Sequence, residues 1–251
     1  MDYKLQELIK NTLLHTRLLA KEASDHNTNF MLVLLGTYRV SFSVLQDIDF
    51  LSVNSNHGAS ALDLSRKSLE YGLTIEYMIM KGKEKMATRF QNYLYVQVFK
   101  DIEFLRSIGQ NLSGAKINIP DMINKYNALP KDVQQDKNWA GRNMDGMLQD
   151  LFNSGFLKEF DYSRLSQIYI WGNRLNHPNS LVLQNYIGED DGSTDEFYLR
   201  LAMFTALSIH LRLTTRLVDE IRVLEQKNVY EDLVKKVSET FRALDELETS
   251  L

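Results

Sequence analysis

The sequence predicts an all-α protein: a multi-helix bundle of long helices with one irregular connection around residues 110–140. Three observations carry this expectation. Apolar residues recur three and four positions apart almost throughout, the period of one face of a helix. Twelve glycines and three prolines are few for 251 residues, and sheet-rich chains need many such residues for tight turns. Hydrophobic residues make up 44% of the chain, and a chain of this length buries most of its apolar surface without covalent staples.

The elements follow in order. Leu5, Leu8, Ile9, Thr12, Leu13 and Leu19 predict a first helix that ends near Asp25-His26-Asn27. A second runs from Asn29 to Leu51 through Phe30, Val33, Leu34, Val40, Val44 and Ile48. The polar run from Ser52 to Gly58 breaks it. A third starts near Ala59 and stops at Lys81-Gly82, a glycine C-cap signal. A fourth spans Lys83 to Gly109. The stretch from Gln110 to Trp139 holds Pro120, Pro130 and one short helical run, Met122 to Tyr126, and reads as a long connection within a single domain, 1–251. Helices follow over Arg142 to Asn153 and Asp161 to Asn176. Pro178 stops the latter, because a residue before proline is pushed out of the helical region. The acidic turn Glu189-Asp190-Asp191-Gly192 precedes long C-terminal helices over 194–251, from Thr194 to Gln226 and from Tyr230 to Leu247. The last has an apolar stripe of Leu233, Val237, Phe241, Leu244 and Leu247, which reads either as a face packed on the bundle or as a docking face for a second copy.

Composition bounds the function. The chain has no cysteine, which excludes disulfides, Cys-type zinc sites, iron–sulfur clusters and thiol nucleophiles. The five histidines are scattered, with no HxxxH or HExxH spacing, so no metal site and no cofactor is expected. Met1 to Ala20 lacks the uninterrupted apolar run of a signal peptide. No stretch approaches 18 apolar residues, so no membrane partner is expected and the cytoplasm is the expected compartment. A net charge of −4 disfavours a whole surface that grips nucleic acid and leaves room for a local basic pocket.

Three places put polar residues on apolar faces, where functional sites tend to lie. At about 100° per residue, Arg66 and Glu70 fall within or beside the arc of Leu62, Leu69, Leu73 and Tyr77. They read either as a buried ion pair that fixes helix packing or as a guanidinium aimed at a phosphate or carboxylate and held by Glu70. Further along, Tyr169, Asn173 and His177 lie four apart on one helix face, with Asn176 beside them and Arg174 offset. His177 reads either as a cap on the last carbonyls or as a general acid or base. In the third place Trp139 opens a helix and anchors the connection, Gly141 permits close backbone approach, and Arg142 near a helix N-terminus suits an anion.

The same segments carry a resemblance. Arg66 and Glu70, then Arg89 and Tyr93, then Trp139, Gly141 and Arg142, then Tyr169, Asn173, His177 and Pro178 resemble, in order and spacing, an uncharacterised bacterial all-helical family over roughly 59–183. Asn173 stands where that family usually has Ser. In architecture the family is similar to the HEPN superfamily, many of whose members are dimeric, metal-independent ribonucleases of toxin–antitoxin and anti-phage systems. The resemblance implies that His177 moves the ribose 2′-hydroxyl or leaving-group proton. It implies that Arg66 and Arg174 stabilise the phosphorane and that Glu70 orients Arg66. Substrate contacts would fall to Asn173, Asn176, Tyr169, Arg142, Trp139, Arg89 and Tyr93. RNA, a second copy and an antitoxin or defence-system protein are the implied partners. The HEPN arginine precedes its histidine by four to six residues, whereas Arg174 precedes His177 by three. The other expectation is a non-catalytic helical module that senses a ligand or docks a protein.

Overall fold

The computed structural model describes residues 3–23, 27–53, 57–110, 117–176, 193–225 and 230–248, and among these every regular element is a helix. They are α1 (Tyr3–Thr16), α2 (Leu19–Glu22), α3 (Asn29–Val53), α4 (Gly58–Lys81), α5 (Lys83–Ser107), α6 (Ile119–Asn127), α7 (Lys131–Gln135), α8 (Met144–Asn153), α9 (Glu159–Asn176), α10 (Ser193–Glu225) and α11 (Glu231–Glu248). No helix among the described residues is long and apolar enough to cross a membrane.

α3 and α4 begin where a side chain satisfies their orphan N–H groups. Thr28 Oγ1 accepts from Met31 N at 3.1 Å, and Glu84 Oε2, from α5, accepts from Phe30 N at 3.3 Å. Asp195, in the first turn of α10, caps α4: its Oδ1 accepts from Gly58 N at 2.8 Å and Ala59 N at 3.3 Å. Gly82, at φ 104°, joins α4 to α5 as a one-residue vertex. So short a connection keeps the two helices neighbours at that end.

α10 is the axis of the bundle. Ala202, Ala206, Leu207, Leu211, Leu217 and Ile221 are buried along it, and it packs most extensively on α4 and α3, then on α11 and α1. Gly72 lets α4 approach, since a Cβ there would sit 2.9 Å from Ile209 Cγ2. Arg216 grips Glu76 with two parallel bonds of 2.9 and 2.8 Å, the fork geometry that fixes one helix against another. One apolar cluster draws buried residues from α1 to α5 and from α8 to α11, and α6 and α7 pack on a second one around Tyr93, Val96 and Val133. The stripe on α11 faces the first cluster: Val237 and Leu244 are buried, and Leu233, Phe241 and Leu247 pack against it.

Three expectations change. The first predicted helix is two, α1 and α2, with a turn at Arg17-Leu18 between them. The connection holds α6 and α7, and both prolines mark helix starts: Pro120 lies in the first turn of α6 and Pro130 is the cap of α7. Trp139 does not open a helix. Asn143 caps α8 by accepting from Gly146 N at 3.0 Å, so residues 136–143 form an irregular strap before it.

Candidate functional site

α4 and α5 diverge from the Gly82 vertex, and the strap crosses near it. Trp139 stands between them, edge-on to Phe90 of α5 at 5.2 Å and to Tyr77 of α4 at 6.1 Å between ring centroids. Beyond Trp139 the two helices border an open cleft of about 900 Å³. α4 contributes Arg66, Lys67, Glu70, Tyr71 and Thr74. α5 contributes Phe90, Gln91, Tyr93, Leu94, Tyr95 and Gln97, and the strap side adds Trp139 and Met144. The α4 positions are i, i+1, i+4, i+5 and i+8, one face of a helix.

Arg66 is the best-anchored charge in the cleft, its side chain 17% exposed. Nη1 donates to Asn173 Oδ1 of α9 at 2.5 Å and lies 3.3 Å from Glu70 Oε1, with Asp63 Oδ1 3.7 Å from Nε. Nε itself is buried and makes no hydrogen bond. The guanidinium stem lies along Gly172, where a Cβ would come within 2.6 Å of Arg66 Cδ. A glycine at this crossing is what allows α9 to approach α4. Burial pushes the Glu70 carboxyl above the usual range, and the attraction of Arg66 offsets only part of that. Arg66 and Glu70 are partly buried, pair with each other, and both line the cleft.

Arg89 and Tyr93 hold the strap. Arg89 Nε donates to the Trp139 carbonyl at 2.8 Å, Nη1 contacts Asp132 Oδ2 at 3.3 Å, and Nη2 pairs with Asp136. Tyr93 Oη donates to the Lys137 carbonyl at 2.5 Å. Burial, with the charge of Asp136 nearby, raises the Tyr93 phenol. Tyr93 lines the cleft with its ring, whereas Arg89 is not among the lining residues. Arg142 is not among them either. It precedes the α8 cap, and its Nη2 donates to Asp150 Oδ1 at 3.2 Å. Asp150 also accepts from Tyr77 Oη at 3.3 Å. Gly141 has φ 67°, and a Cβ there would meet only Asp136 Oδ1, at 4.0 Å, so its role is the left-handed turn and not close approach. Tyr169 packs against the main apolar cluster.

His177, Pro178 and the acidic turn at 189–192 lie outside the described residues, as do the side chains of Arg174 and Asn176. Among the described residues, no group of three or more His, Cys, Asp or Glu could hold a metal ion. The sequence pattern did not single out Lys67, Tyr71, Thr74 and Phe90. Lys67 and Tyr71 each follow a singled-out charge by one position, and a helical-wheel reading of Arg66 and Glu70 could have included them. Gly172 was also missed, though a glycine inside an aromatic helix usually marks a close contact.

Over residues 31–194 the chain matches a protein family described as "Family of unknown function (DUF5677)". No curated protein and no solved structure matches the chain.

Proposed function

The chain belongs to the DUF5677 family of unknown function, and from that premise we propose that it is a helical ligand-binding module whose site is the cleft between α4 and α5. One observation carries the reading: Arg66, Glu70, Phe90, Tyr93 and Trp139, from three separate segments, converge on an open space of about 900 Å³. Small-molecule sites have this size and this make-up, aromatic walls with a few convergent polar groups. Arg89 and Tyr93 support it further. By tying down the strap they preform the Trp139 wall, and a preformed wall lowers the ordering cost of binding.

The test uses an uncharged aromatic probe, N-phenyl-1-naphthylamine. Its fluorescence should rise saturably with one probe bound per chain. Leu94, 53% exposed on the cleft wall, can be changed without opening the core. Leu94→Arg should weaken probe binding at least several-fold while melting temperature stays close to that of the parent. Non-saturable binding, or binding indifferent to Leu94→Arg, overturns the reading.

A second reading is favoured by the Arg66–Asn173 hydrogen bond, which ties Arg66 to the chain segment that continues into Arg174 and His177. It is a HEPN-like, metal-independent endoribonuclease, with RNA as substrate and a second copy or an antitoxin as partner. Purified protein should then degrade RNA in the presence of chelator, and His177→Ala should abolish that. Intact RNA, or cleavage that survives His177→Ala, rejects it.

A further inference from the structure

We propose that the cleft takes a planar aromatic ligand bearing one anionic group, with its ring toward Phe90 and Trp139 and its anion at Arg66 and Lys67. This rests on the ligand-binding reading and adds the chemistry of the ligand. The cleft has a direction. Counting away from Gly82, the α4 lining runs from Thr74 through Tyr71 and Glu70 to Lys67 and Arg66, about 12 Å at 1.5 Å per residue. On α5 it starts with Phe90, the lining residue nearest the vertex, and ends with Gln97. Trp139, edge-on to Phe90 and Tyr77, belongs to the vertex end. Both cations therefore lie at the end away from the vertex, and the aromatic wall runs from Phe90 and Trp139 at the vertex end through Tyr71, Tyr93 and Tyr95.

The lining holds two cations, Arg66 and Lys67, and one carboxylate, Glu70. Asp63 beside them contacts both cations, at 3.7 and 3.3 Å, so the local charge is even and an incoming anion competes with Asp63. Lys67 is 52% exposed, and its contact with Asp63 is an i,i+4 pair at 3.3 Å. Exposed pairs of this kind contribute little, so an incoming anion can share Lys67 at small cost. Arg66 is anchored at the cleft wall through Nη1 by Glu70 and Asn173. Thr74, Gln91 and Gln97 supply donors and acceptors along the way. Ring-plus-acid chemistry occurs in nucleoside monophosphates and in aromatic carboxylic acids, and the experiment separates these sources.

Calorimetric titration of the full chain with AMP, p-hydroxybenzoate, adenosine and inorganic phosphate tests the assignment. AMP or p-hydroxybenzoate should bind once per chain, about tenfold or more tightly than adenosine or phosphate alone. Tight binding of AMP identifies a nucleotide source, and of p-hydroxybenzoate a carboxylate source. Lys67→Glu should weaken the acid about tenfold and weaken N-phenyl-1-naphthylamine much less. Lys67→Gln, with a smaller loss, serves if the charge reversal lowers the melting temperature. If the uncharged probe binds but neither acid exceeds adenosine, or if both Lys67 variants bind the acid like the parent, the ligand class is overturned and the cleft reading survives. If the uncharged probe also fails to bind, both fall.

Discussion

His210 sits fully buried in α10 with a hydroxyl at each ring nitrogen: Thr16 Oγ1 is 3.0 Å from Nε2, and Ser41 Oγ is 3.2 Å from Nδ1. Tyr38 and Phe42 pack against the ring at 5.0 and 5.7 Å between centroids. Thr16 Oγ1 donates to the Thr12 carbonyl at 2.8 Å, so it accepts from Nε2–H, and Ser41 Oγ donates to Nδ1, which satisfies the neutral imidazole. Burial pushes the imidazole down to about 3 from 6.5. The folded state therefore stays neutral where the unfolded chain takes up a proton, and the stability tied to His210 is complete above pH 6.5 and is lost as pH falls toward 3. At pH 5 the loss is about 2 kcal/mol. Urea melts at pH 7 and pH 5 should show the parent losing about that much more than His210→Gln; equal losses would refute it. Glu70 behaves in the opposite sense. Its carboxyl is raised by burial despite Arg66, so ionised Glu70 opposes folding at neutral pH and relief comes as pH falls through its folded value. Glu70→Gln should be no less stable than the parent in a denaturant melt at pH 7, and a marked loss would show that the Arg66 pair outweighs the desolvation. Arg66 and Glu70 were legible in the sequence because an i,i+4 charged pair on an apolar face is a local pattern. His210 was not, because its partners are 194 and 169 residues away.

Two glycines inside helices contrast at the level of the elements. At Gly36 in α3 an added Cβ would meet nothing within 4 Å, so Gly36→Ala should stabilise by about 0.5–1 kcal/mol, the helix-propensity difference alone. Gly172 in α9 faces the Arg66 stem, with Cδ, Cβ and Cγ at 2.6, 3.0 and 3.1 Å from an added Cβ. Gly172→Ala should therefore destabilise by about 1–3 kcal/mol, the range for overpacking, and weaken ligand binding in the cleft by displacing Arg66 from Asn173. Thermal melts of the pair read the opposite signs, and a stabilised Gly172→Ala would show that α9 can withdraw freely. Helix ends were read well where a cap is local, as at Gly82. They were read poorly at residues 131–143. α7 has five residues, too few for a periodic signal, and the strap is shaped by Arg89, whose acceptors lie 43 to 50 residues away.

For the whole molecule, the family match ends at residue 194, where α10 has just begun. α10 nonetheless packs most extensively on α4 and α3 and brings Ala202, Leu207, Leu211, Leu217 and Ile221 into the common apolar cluster. Without it the buried faces of α3 and α4 would meet water, at about 25 cal/mol per Å² of apolar surface. A fragment of residues 31–194 should accordingly show no cooperative thermal transition by circular dichroism, whereas the full chain should; a cooperative fragment would make α10 dispensable to the core. That the chain is helical, where most long helices start and stop, and which charges sit on apolar faces all follow from periodicity and caps, interactions that reach only about one helical turn. The opening of α4 and α5 from Gly82 around Trp139, the fastening of the strap by Arg89 and the meeting of Arg66 with Asn173 emerge in three dimensions alone. Such contacts depend on how helices cross, and crossing is set by packing between residues that no local pattern connects.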